Sequence, residues 1–230
     1  MTKRGWPPPG VAGDGLRSDF SSSSLVRLLG DWAPVQADGM DFAERLGLWL
    51  GAFDAMRLQA ALQPQRPGHG AAPAPAERQA LAEQLQRVRA ALAHAIAQDP
   101  EALAGADPAE AALAPFQRRH ADLQRHMAQM IAPLREQARA LLARGGPAGA
   151  ELASLDAALQ AVLAAREPQH LAGVPTLLAR RHQALKPAGE AGMSTFREDW
   201  RRALLAELDL RLEPIHGLLE ALNHETGVSA

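Results

Sequence analysis

The chain has 230 residues, of which 83 are Ala or Leu while only ten are Val or Ile and none is Tyr; this argues against a sheet, because β-branched and aromatic side chains are what a pleated surface packs. Its formal charge of −2, from 24 basic and 26 acidic residues, advertises neither a nucleic acid nor an anionic membrane as partner. With no Cys there is no disulfide, no thiol nucleophile and no thiolate metal site. The expectation is an all-α protein: a helical bundle with long, coiled-coil-like helices, about seven in all, and no sheet.

In chain order, residues 1–19 hold Pro7-Pro8-Pro9 and four Gly, too little apolar surface to offset ordering, and read as a flexible tail. The opening MTKRGWPPPGVAGDG has no apolar stretch behind its charges, so it does not resemble a secretory signal. The longest apolar run, Leu46 to Phe53, has eight residues, against the roughly 20 of a membrane span. A cytoplasmic protein without a transmembrane segment is expected.

An aromatic-rich helical segment occupies 20–62, holding five of the nine Phe and Trp residues. Serines 21–24 offer N-caps for a short helix from Leu25 to Trp32, which Pro34 ends. Asp41 with Glu44 has the spacing of a capping box and opens a helix predicted to run to Leu62. Within it Phe42, Leu46, Trp49, Phe53, Met56 and Ala60 recur at spacings of four and three and share one face. Gly47, Gly51 and Ala55 lie on the other side, where small residues admit a close helix. This helix is therefore either the centre of a bundle or a docking face for another chain. The candidate interaction residues are Phe42, Leu46, Gly47, Trp49, Gly51 and Phe53.

SSSSLVRLLGDW followed by DFAERLGLWLGAFDAMRLQAAL resembles the N-terminal signature of an uncharacterised proteobacterial family of unknown function. The close match covers residues 21–62. The resemblance implies no activity, cofactor or catalytic residue, and as partners it points to envelope-motor or outer-membrane-associated proteins.

Residues 63–76, a Pro/Gly/Ala stretch, read as a linker, and 77–224 as a helical bundle or antiparallel coiled coil ahead of a short tail, 225–230. Leu81, Leu85, Val88, Leu92 and Ile96 stripe one helix. Asp107-Pro108-Ala109-Glu110 has the form of a helix start. From there Leu113, Phe116, His120, Leu123, Met127, Met130, Leu134 and Leu141 fit one heptad frame, with Gln137 in the remaining slot and Pro133 predicting a kink. That frame predicts pairing of the long helices between chains, and hence a homo-oligomer. Leu152, Leu155, Leu159 and Val162 stripe the next helix, and Pro175 opens a short one to about Lys186. Thr195 with Glu198 suggests the cap of a final helix carrying Phe196, Trp200, Leu204, Leu208, Leu212, Ile215, Leu219 and Leu222, interrupted at Pro214.

Chemistry has few candidates. Glu167-Pro-Gln-His170 and Glu213-Pro-Ile-His216 have the Glu-x-x-His spacing of di-metal helical bundles, but a Pro follows each Glu and argues for helix ends. Residues 116–144 carry six Arg against two acids, and Arg118, Arg119, Arg125, Arg135 and Arg139 are the positions a nucleic acid would meet, although no aromatic residue lies among them. No zinc-hydrolase or phosphate-loop motif occurs. The sequence therefore points to a non-enzymatic scaffold or adaptor acting through helix–helix contacts, with no catalytic residues, metal or cofactor; a bundle metalloenzyme and a nucleic-acid binder are the alternatives.

Overall fold

A computed structural model describes residues 23–32, 51–63, 71–98, 113–164 and 173–224. They form helices α1 (Ser24–Trp32), α2 (Ala52–Ala61), α3 (Pro75–Ala97), α4 (Ala114–Gly145), α5 (Pro147–Ala164), α6 (Gly173–Leu185) and α7 (Gly189–His224), with a 3-10 turn, Lys186–Ala188, between the last two. The fold is all-α, and among the described residues there is no strand. None of their helices is long and apolar enough to cross a membrane. The tails, Asp41 with Glu44, linker residues 64–70 and the expected helix start at Asp107 lie outside the described residues.

Three long helices make the core. Pro75 stands at the first position of α3, where its missing N–H removes no helical bond, and the Ala74 N–H donates to the Glu77 carboxylate at 2.8 Å. Helix therefore takes over at Pro75, just inside the expected linker. Every residue of the predicted α3 stripe, from Leu81 to Ile96, is buried. Arg119 of α4 donates to the carbonyl at Ala95 (3.0 Å) near the end of α3, while Arg144 reaches Glu77 near its start (2.6 Å), so α3 and α4 run antiparallel. Phe116 touches Trp200, and Gln124 touches Glu207, so α4 and α7 run parallel.

One slot of the α4 heptad frame, from His120 to Leu141, is buried throughout, and the other holds only at first. Phe116, His120, Leu123, Met127, Leu134 and Leu141 are buried as expected, but Ile131 and Ala138 replace Met130 and Gln137 on the buried side. Gln137 is exposed. A helix of 3.6 residues per turn drifts about 20° per heptad away from a 3.5-residue frame unless a supercoil corrects it, so the second slot moves on by one position while the first stays buried. The seam is filled by α3 and α7 of the same chain, which removes the motive for pairing between chains through this helix.

Neither internal Pro ends its helix: α4 continues through Pro133 and α7 through Pro214. Nor does Thr195 cap anything. Helix α7 begins at Gly189, and the Thr195 hydroxyl donates to the Ala191 carbonyl one turn back at 3.0 Å. The predicted stripe of α7 is buried throughout, from Phe196 to Leu222. Phe116 meets Phe196 and Trp200 edge-to-face, with centroids 5.2 and 5.4 Å apart, a geometry worth about 0.5–1.5 kcal/mol per pair beyond burial.

The outer helices attach in two ways. Only Gly146 separates α4 from α5, so the two form a tight hairpin, and α2 lies on α5. In α5 the buried residues are Gly149, Ala150, Ala153 and Val162, whereas Leu152 and Leu159 of the predicted stripe are exposed. Small residues face α4 because they let the hairpin close. On the other side α1 docks on α6 and α7 through buried Leu25 and through Trp32, whose ring lies 5.9 Å from the Arg181 guanidinium.

Candidate functional site

The long helix expected from Asp41 to Leu62 does not run through Gly51. Gly51 is extended (φ −70°, ψ 163°) and is the N-cap of α2, its N–H donating to Asp54 Oδ2 at 3.3 Å. Among the described residues a β-carbon at Gly51 would meet only that carboxylate oxygen, at 3.7 Å, so no helix backbone approaches there. Gly51 is a helix start, and no described helix packs against it. Asp54, Leu58 and Ala61 form the side of α2 that is at least half-buried. Phe53 and Met56, from the predicted aromatic face, are 80% and 56% exposed. Phe42, Leu46, Gly47 and Trp49 lie outside the described residues. On neighbouring α5, Leu152, Leu159 and Leu163 are exposed as well.

The arginines of α4 are largely engaged within the chain. Arg135 forms a two-pronged bond to Asp156 of α5 (2.6 and 2.9 Å), and Arg139 reaches the same carboxylate (3.1 Å), Gln160 (2.6 Å) and Glu136. Arg144 ties to Glu77 and Arg119 to the end of α3; Arg125 pairs with Asp122 one turn away, and Arg118 is exposed. Bonds from Ala74 and Arg144 together hold the Glu77 carboxyl below its usual range. The excess of positive charge on α4 thus serves to fasten α3 and α5.

Glu213 and His216 both face solvent on α7, and Glu167 and His170 lie outside the described residues. Among the described residues no three His, Asp or Glu side chains gather as a metal site would require.

The chemical centre of the bundle lies elsewhere. Glu207 of α7 is 0% exposed and accepts from the Gln124 amide (3.1 and 3.2 Å) and from Arg211 Nε and Nη2 (2.9 and 2.8 Å). A buried carboxylate costs several kcal/mol in desolvation unless so satisfied. His120, 2% exposed, places Nε2 3.8 Å from Glu207 Oε2, beyond hydrogen-bond range, and both its ring nitrogens lack a partner. Burial pushes the His120 pKa down; Glu207 opposes that and Arg211 reinforces it, and burial prevails. The Trp200 indole N–H is also buried and unpartnered. This cluster fixes the register of α4 against α7. His120 was expected in the seam, but Glu207 was not anticipated: it stands beside Leu208 of the stripe, and a charged residue there reads as solvated.

Comparison with curated proteins and with solved structures finds no match. A family model, described as protein of unknown function (DUF3348), matches residues 14–224, most of the chain and well beyond the 21–62 signature. The described bundle, from α1 to the end of α7, falls within that match, and the chain belongs to the DUF3348 family.

Proposed function

We propose that the protein is a non-enzymatic scaffold or adaptor, and that its working surface is the apolar face of α2 together with the leucines of α5. The observation that carries this is the exposure of Phe53 and Met56 on a short helix whose other side is anchored to the bundle. Large apolar side chains presented together on a rigid support are the usual mark of a protein-binding surface. Some of the charge beside this surface is taken up inside the fold, where Asp156 of α5 is held by Arg135 and Arg139. The partner contributes an apolar helical face of its own, supplied by another protein or by a second copy of this chain.

The test places a photo-cross-linking amino acid at position 53 in native cells, with Arg87, exposed on α3, as the control position. The expected result is a discrete adduct from position 53 that the control does not give. No adduct, or the same adducts from both positions, contradicts the proposal. Light scattering of the purified chain then tells a second copy from a foreign partner.

A further inference from the structure

Where the starts of α4 and α7 meet the end of α6, a groove of about 430 Å³ opens to solvent. Leu113, Leu185 and Met193 make its walls apolar, and among the described residues the ionisable ones that line it are His182 and Lys186. His182 Nδ1 is buried without a hydrogen-bond partner. The His182 ring stands edge-on to Phe196, with centroids 5.0 Å apart, and Lys186 follows one helical turn later. Behind the groove, sharing Leu113 and Gln117 as walls, lies a cavity of about 10 Å³, room for roughly one water. It is lined by His120 and Trp200, whose nitrogens are the unpartnered ones described above.

Buried polar atoms in folded proteins almost always find partners; the small cavity leaves room for a water beside His120 and Trp200, so the unpartnered nitrogen that calls for a partner at the groove is His182 Nδ1. Trp offers only a donor, a neutral His one donor and one acceptor, and Lys only donors. Gly189 and Gly192, in the first turn of α7, also line the groove, and a helix N-terminus adds partial positive charge. Glu190, in the same turn, is exposed and not part of the wall. Apolar walls with donors and positive charge on the described lining match one class of ligand.

We infer that this groove binds a small organic carboxylate with an apolar body: the body lies against Leu113, Leu185 and Met193, and the carboxylate accepts from His182 and Lys186. The site is at the α6–α7 corner and is independent of the surface proposed for protein binding. A bound anion also favours the charged form of His182, whose pKa burial and Lys186 push down in the free protein.

Calorimetry on the full chain near neutral pH and at low salt tests this with three probes: octanoate, octanol with a similar tail and no charge, and acetate with the head alone. Octanoate is expected to bind with a Kd below about 1 mM, acetate not measurably, and octanol about tenfold more weakly or less. Lys186→Glu, at an exposed position, is expected to keep the melting temperature and to lose about tenfold or more in octanoate affinity. Failure of octanoate to bind, equal binding of octanol, or unchanged affinity in a folded Lys186→Glu variant overturns the inference. An unfolded Lys186→Glu variant leaves the decision to the probe comparison on the native chain and to the His182 ring resonance. Octanoate is expected to raise the pKa that this resonance reports, and octanol is not.

Discussion

A β-carbon on Gly192 would lie 2.1 Å from the Leu185 carbonyl oxygen, so the corner between α6 and α7 closes only with glycine there. Gly189, at φ +59°, turns the chain into that corner. Gly192→Ala is expected to cost about 1–3 kcal/mol or more as the corner is forced apart, which a urea midpoint measures directly. Glu207 makes the complementary case in the core. Glu207→Ala removes the buried acceptor that Gln124 and Arg211 share and is expected to cost about 3–5 kcal/mol. His120 then sets a pH dependence. Its folded pKa is lowered, so the unfolded chain takes up the proton first, near pH 6.5. Stability is complete above about 6.5 and falls as pH drops from there toward the folded pKa. Urea midpoints from pH 7.5 to 5 should show that fall, and His120→Gln should flatten part of it. His182, whose pKa is also lowered, supplies a further part with the same sign. An unchanged slope in the variant contradicts the assignment.

Among the helices, legibility followed how different the two faces of each one are. Helix α3 sets Leu, Val and Ile against Gln, Arg and Glu, and its buried stripe follows directly from spacing. Helix α5 is apolar on nearly every side, so spacing alone does not choose between its leucines and its alanines. The tight hairpin to α4 chooses the alanines, a tertiary demand that the pattern does not carry. Ala153→Leu is accordingly expected to overpack the α4–α5 contact by about 1–3 kcal/mol, whereas Leu152→Ala should change the midpoint by less than about 1 kcal/mol. The reverse order would restore the leucine stripe as the core. Helix α4 shows a related limit, since a heptad template and a 3.6-residue helix agree over two turns and separate over eight. For α2 the obstacle was Gly51, which is compatible with a notch inside a helix and with a cap; Asp54, placed to accept its N–H, favours the cap.

At the scale of the molecule, α3, α4 and α7 bury one another's stripes within a single chain, and α1, α5 and α6 close the remaining sides. The all-α class and the core stripes were readable because they depend on local period. The candidate sites were not. The Glu207 cluster and the groove at the α6–α7 corner each join residues that are far apart in sequence and share no motif, and the exposure of Phe53 depends on which side of α2 meets α5. Whether the Phe53 and Met56 face of α2 is surface or core is read from urea unfolding of Phe53→Asp/Met56→Asp. The stability of this double variant is expected to stay within about 1 kcal/mol of the native chain, since surface substitutions seldom exceed about 0.5 kcal/mol each. A loss of about 3–5 kcal/mol or more, the cost of emptying or charging a packed core, would contradict it.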